Sequence, residues 1–258
     1  MNDRRQLLDQ WLQQAGYRDY RLQRASEDAS FRSYLRLETA TQSLIVMDAP
    51  PDQEPCDRFI AIAGALRDAG LNAPQIIASN LEYGFLLLTD FGSRDYLSQL
   101  NSQSEAALYA DALAALLQMQ LHADKTDLPD YDEAMLLREL DLFHDWFLLE
   151  LLGIELDAVQ QSLWLETRQM LVDSALSQPQ VFVHRDYHSR NLMVVEQDNP
   201  GILDFQDAVS GPITYDLVSL LRDCYIAWPR ARVRQLVLEY HQTARAHELV
   251  SADAEQFM

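Results

Sequence analysis

Asp186, Asn191 and Asp204 are the residues of this chain whose types and spacing best suit chemistry. The run Val183-His184-Arg185-Asp186-Tyr187-His188-Ser189-Arg190-Asn191 puts an acid five residues before an amide. Gly201-Ile202-Leu203-Asp204-Phe205 brings a second acid after an apolar run. Phosphoryl transfer from a nucleotide uses such a set: one acid orients the acceptor hydroxyl, and an amide and a second acid hold metal ions against the phosphates. Asp186 is the expected catalytic base, since a carboxylate accepts a hydrogen bond from a hydroxyl and aims its oxygen at the γ-phosphorus. Asn191 offers a neutral oxygen to magnesium and Asp204 a charged one. His184 is expected to brace the loop rather than react. A lone His-Arg-Asp is a common accident. Here the amide stands at the right offset, a strand precedes and a strand-borne acid follows.

Those side chains need strand ends to hold them. Residues 181–183, a loop, residues 192–195, a turn at Asp198-Asn199-Pro200-Gly201 and residues 202–203 read as a small hairpin carrying the motif at its ends. Upstream, Leu7, Leu8, Trp11, Leu12 and Ala15 predict a helix over 4–15. Residues 20–48 read as strands, and residues 57–69 as a helix with Phe59, Ile62, Ala63 and Leu66 on one face. Short strands around 75–78 and 85–88 follow. Ser102-Gln103-Ser104-Glu105 has the spacing of a capping box that opens a helix to about His122. The segment 133–152 is apolar nearly all round and is expected to be buried, Trp146 included. Helices over 157–176, 215–225 and 229–248 complete the pattern. The expectation is an α+β chain of two lobes: a strand-rich lobe over 1–88 and a helical lobe over 89–258.

Composition narrows the partners. The 258 residues carry a net charge of −20, which repels nucleic-acid backbones and anionic membrane surfaces. No apolar run is long enough to span a membrane. The N-terminus leads into an amphipathic pattern rather than a signal core. Cys56 and Cys224 have no metal or redox spacing, so a reducing cytoplasm is the expected location. His122, His144, His188, His241 and His247 lack metal-ligand spacing. Asp90-Phe91-Gly92 spells a kinase metal motif but precedes the Asp186 loop, the wrong order for that role. Asp90 is expected as a turn or contact residue. Asp216 is expected to cap the helix it begins and to brace the loop.

These residues resemble the aminoglycoside phosphotransferase and choline kinase superfamily of kinase-like small-molecule kinases. Within it, the likeness is to bacterial N-acetylmuramate/N-acetylglucosamine anomeric kinases of cell-wall recycling. It is carried by residues 25–34 and 46–51, by His184 to Met193, by residues 203–208 and by Tyr215 to Tyr225. The resemblance implies a bilobal protein-kinase-like fold, ATP and Mg2+ as cofactors, and phosphorylation of an amino sugar at its anomeric hydroxyl. It also implies a sugar-1-phosphate uridylyltransferase as the next enzyme. Ser30, Arg32 and Thr89 are the expected nucleotide contacts. His188, Arg190, Asp207 and Arg222 are the acceptor-site candidates, although Arg190 suits a pairing with a loop acid better than a substrate carboxylate.

The chain departs from the general kinase pattern. The third-strand Lys is absent, with Met47 near its position, and the only lysine is Lys125. The helix Glu that pairs with that Lys is absent too, with Phe59 near its place. Glu27 stands where the nucleotide loop would carry a Gly. Arg32 and Arg36 project from one strand face. Arg32 suits a bidentate phosphate clamp, the alternative being a solvated arginine. The chain stops at Met258, where the resemblance implies more helix. Three readings stay open: an amino-sugar kinase, a kinase for an aminoglycoside or choline-like alcohol, and a nucleotide-binding pseudokinase.

Overall fold

The computed structural model describes residues 2–26 and 31–258. In chain order its elements are α1 (Asn2–Gln14), β1 (Arg21–Ser26), β2 (Ser33–Glu38), β3 (Ser43–Asp48), α2 (Asp57–Asp68), β4 (Ile76–Asn80), β5 (Phe85–Thr89), α3 (Tyr96–Gln99), α4 (Glu105–His122), α5 (Glu133–Leu142), α6 (Ala158–Leu176), β6 (Gln180–Val183), β7 (Leu192–Met193), β8 (Gly201–Ile202), β9 (Val209–Pro212), α7 (Tyr215–Leu221), α8 (Arg230–Ala246) and α9 (Ala254–Phe257). The fold is α+β, as expected. The chain forms two compact units. The first holds Met1–Ala112 and Arg190–Gln206, so it takes in residues 89–112 and the β7–β8 hairpin as well as 1–88. The second holds Leu113–Ser189 and Asp207–Met258.

In the first unit, β1 to β5 make an antiparallel sheet in the order β1-β2-β3-β5-β4. Alternation along the strands sends Leu37, Leu44, Val46, Phe85 and Leu87 to one face, where Leu8, Trp11 and Leu12 of α1 cover them. Burying side chains of this size contributes about 1.5–3 kcal/mol each. On α2, Phe59, Ile62, Ala63 and Leu66 are the buried residues, the face that their spacing predicts. Gly84 has φ +71, and a Cβ there would stand 1.8 Å from the Ala49 carbonyl oxygen, so the β4–β5 turn admits only glycine.

Two local expectations fail. The capping box at Ser102 does not form. Asn101 instead accepts from the Gln103 and Ser104 N–H groups at 2.9 and 3.3 Å, in the turn that precedes α4. An Asx side chain competes well for such orphan donors. Most of the segment 133–152, Leu136 excepted, is not buried. In the second unit α5 passes at Phe143 into a π-helix (Phe143–Leu151), and Trp146 is 66% exposed and Leu151 71%. The facing part of α6 exposes Val159, Leu163 and Met170 as well. Apolar patterning tells how much surface an element offers to a neighbour. It does not tell whether a neighbour lies there.

Candidate active site

The Asp186 loop belongs to the second unit and leaves the end of β6. That strand pairs antiparallel with β9, a partner the sequence reading did not give it, and its last three residues are buried. His184 follows, fully buried, and its Nδ1 accepts the Asp186 N–H at 3.2 Å. That bond leaves the ring proton on Nε2 and makes His184 a brace, as expected. Asp216 accepts the His184 N–H at 2.7 Å and the Arg185 N–H at 3.0 Å. It therefore braces the loop. It does not cap α7, because it stands inside the first turn behind Thr214. Burial pushes its carboxyl up to about 7, against those two N–H donors, and the Asp186 charge adds to the rise.

Arg185 has φ 77, a left-handed conformation that costs a non-glycine residue roughly 1–2 kcal/mol. Asp216 holds its amide. Glu139 of α5 takes its guanidinium, which also lies over the Tyr131 ring at 5.8 Å. The Tyr131 and Tyr215 hydroxyls donate to Glu139 too. The loop thus presents Asp186, half-buried, from a backbone fixed on both sides. Glu139 and Asp223 were missed by the sequence reading. Asp223 accepts from the Ser189 and Tyr225 N–H groups at 3.0 and 2.8 Å and closes the far end of the loop. The available signal was one of several charges on α5 and an acid in the Tyr215–Tyr225 block, with no partner legible for either.

The acceptor candidates of this unit are His188, Asp207 and Arg222. The His188 ring meets Tyr225 edge-on at 5.5 Å, and its buried Nδ1 has no hydrogen-bond partner among the described residues. Asp207 and Arg222 are exposed. Arg190, also exposed, falls in the first unit.

Asn191 and Asp204 lie in the first unit, at the two ends of the β7–β8 hairpin. The Leu203 N–H donates to the Asn191 carbonyl at 2.9 Å, and the Asn191 Nδ2 donates to Asp204 Oδ2 at 3.2 Å. Gln206 Nε2 holds the other carboxylate oxygen at 2.7 Å. Asp204 is exposed and has φ 63. A strained non-glycine residue at such a point is held there by its surroundings. Those surroundings are visible. Phe205 packs against Phe59 of α2 at 4.9 Å, the Val194 N–H donates to the Arg94 carbonyl at 2.8 Å, and the Phe91 ring would meet a Cβ on Gly201 at 2.7 Å. The two side chains bring one neutral and one charged oxygen donor together, once the Asn191 amide turns its Oδ1 inward. Among the described residues no cluster of three or more acids, His or Cys stands ready for a metal. Magnesium fits a two-residue site, since it keeps water and substrate phosphate as its other ligands.

On the nucleotide side, Ser30 and Glu27 lie outside the described residues. Thr89 ends β5, where its Oγ1 accepts the Gln75 N–H at 3.0 Å. Met47 is buried and Phe59 nearly so, in line with the missing Lys and Glu. Arg36 grips Asp90 through Nε at 2.6 Å and Nη2 at 3.0 Å, with Ser43 and the Gly92 N–H on the same carboxylate. Burial works to raise the Asp90 pKa, but these donors hold it below the usual carboxylate range. Asp90 is thus both a turn and a contact residue. Arg32 is not a solvated arginine. Its Nη2 stands 2.6 Å from Glu54 Oε2, and the two side chains are 10% and 20% exposed. A cleft of about 640 Å³ is lined by Asn72, Asp90, Arg94 and residues 194–197, but by neither Asn191, Asp204 nor Arg32, so it is not the candidate site.

Comparison with known proteins assigns the family. The profile of the APH phosphotransferase enzyme family matches residues 21–250. The chain is 47% identical over 234 residues to the N-acetylmuramate/N-acetylglucosamine kinase of Pseudomonas putida, covering 90% of this chain and 69% of that protein. It is 49% identical over 220 residues to the protein of the same name from Pseudomonas aeruginosa, covering 85% of this chain and 65% of the relative. Among solved structures, the ADP-bound aminoglycoside phosphotransferase APH(2'')-Ib superposes with a TM-score of 0.66 at 16% identity, over 95% of this chain and 84% of that one. The chain therefore belongs to the APH phosphotransferase family and has its kinase-like fold.

Proposed function

We propose that this phosphotransferase moves the γ-phosphoryl group of ATP to the anomeric hydroxyl of N-acetylmuramate or N-acetylglucosamine. The observation that carries this reading is the 47–49% identity to relatives bearing that kinase name, combined with the presence of Asp186, Asn191 and Asp204 in this chain. Residues 1–88 serve the nucleotide, through Ser30, Arg32 and Thr89, and residues 89–258 serve catalysis and the acceptor.

Asp186 accepts the proton-bearing end of the sugar hydroxyl and turns its oxygen lone pair toward the γ-phosphorus. The His184, Asp216 and Glu139 contacts fix the backbone under it, so little reorganisation is left at the moment of transfer. Asn191 and Asp204 would hold Mg2+, which neutralises charge on the phosphates when bound. His188, Arg190, Asp207 and Arg222 contact the sugar, with the His188 Nδ1 offering a buried polar atom in search of a partner. The product, a sugar 1-phosphate, is a substrate for a uridylyltransferase in peptidoglycan recycling. The site of action is the cytoplasm, where ATP is found.

A panel with γ-labelled ATP, magnesium, N-acetylmuramate, N-acetylglucosamine, kanamycin and choline decides among the readings. Transfer to an amino sugar, with label on the anomeric oxygen, is expected. Transfer to kanamycin or choline alone would sink the sugar reading, and no transfer at all would point to a pseudokinase.

A further inference from the structure

The missing Lys–Glu pair leaves a specific gap. A kinase-like nucleotide site needs a cation on the β3 side held by an acid near the following helix. Here Met47 and Phe59 put two apolar side chains at those places. The β2–β3 register pairs Tyr34 with Met47, so their side chains share a sheet face. Arg32 lies two residues before Tyr34, immediately before β2 begins. It borders residues 27–30, the stretch that the resemblance assigns to the phosphates.

Glu54 reaches Arg32 from the other side. It sits in the turn between β3 and α2, where the Glu54 and Gln53 N–H groups both donate to the Pro50 carbonyl, at 2.8 and 2.9 Å. Cys56, two residues on, is the N-cap of α2. The Arg32 charge is felt there, since it opposes the burial that raises the Cys56 thiol pKa. The ion pair therefore links the β2 start to the approach of α2, the same connection a Lys–Glu pair makes from β3.

We propose that Arg32 and Glu54 replace the Lys–Glu pair: Glu54 is a positioning residue that aims the Arg32 guanidinium at the ATP phosphates. This rests on the reading of the chain as an ATP-dependent kinase. The chemistry fits. A guanidinium carries five N–H donors in a fixed fork, so it serves a carboxylate and a phosphate together. Both side chains are mostly withdrawn from water, a placement that costs desolvation and is of little use to a pair acting only as a surface tie.

The test measures ADP and adenosine binding by calorimetry, and MgATP kinetics, for the wild type, Arg32→Gln, Glu54→Gln, Glu54→Asp and the double variant. Arg32→Gln is expected to weaken ADP binding about ten- to a hundredfold and to leave adenosine binding unchanged. Glu54→Gln should raise the KM for ATP without moving that for the acceptor, and Glu54→Asp should recover part of the loss. The double variant should be no worse than Arg32→Gln, because Glu54 acts only through the arginine. Equal losses of ADP and adenosine would show a structural tie and overturn the proposal. So would additive losses, or ADP binding indifferent to both residues. Wild-type chain that binds no nucleotide would instead overturn the kinase reading itself.

Discussion

Asp216→Asn probes the loop that carries Asp186. The carboxyl is fully buried and accepts two backbone N–H groups, at 2.7 and 3.0 Å. Burial pushes its folded pKa well above the usual carboxylate range, to about 7. A raised carboxylate pKa means that the native state binds a proton the unfolded state has lost. Stability from this group is therefore present below about pH 4 and falls as pH rises toward 7. At about 1.4 kcal/mol per pH unit, the fall between pH 5 and 7 is about 2 kcal/mol, allowing for half-ionisation at the upper end. Asparagine cannot ionise and so lacks this fall. It also offers one oxygen instead of two, which leaves one buried N–H without an acceptor, at about 1–3 kcal/mol. The wild type should thus lead the variant by about 1–3 kcal/mol below about pH 4, and that lead should shrink by about 1.5 kcal/mol by pH 5 and by about a further 2 kcal/mol toward pH 7. Urea unfolding of both proteins at pH 5, 6 and 7 reads this directly. A lead that stays constant across the three values would refute the reasoning. With Arg185 less firmly held at φ 77, turnover at pH 7 should also drop about a hundredfold.

Asp186→Asn should lower turnover by about 10²–10⁴ with little change in nucleotide affinity; a rate near wild type in a steady-state assay would remove Asp186 from the chemistry. Asp204→Ala should abolish magnesium-dependent transfer and also the rise in melting temperature that MgADP gives the wild type, so a preserved thermal shift would refute the metal assignment. Buried Leu136 and exposed Leu163 should respond differently to truncation. Leu136→Ala is expected to cost about 2–5 kcal/mol, whereas Leu163→Gln should stay within about 0.5 kcal/mol and reduce binding of an apolar dye; the reverse order in chemical denaturation would contradict the exposed face on α6.

The local elements of this protein, and a candidate site, were legible in its residues. The spacing of Asp186, Asn191 and Asp204, the apolar face of α2, the strand alternation over 20–48 and the hairpin at 192–203 all follow from periodicities of two and 3.6 and from turn chemistry, which act over a few neighbours. The absence of Lys at Met47 was equally plain. Everything decided by partners far along the chain had to wait for the tertiary structure. Glu54 looks like any turn acid until the fold sets it against Arg32, and Glu139 like any helix charge until it meets Arg185. Asp216 reads as a helix cap, yet burial beneath the Asp186 loop makes it a brace with a raised pKa. The segment 133–152 reads as core, yet most of it stands exposed. A sequence declares which groups are charged, apolar or strained. Which of them lose water, and against whom, is decided only when distant segments pack, and that loss of water sets the energies of pairing and ionisation on which the site depends.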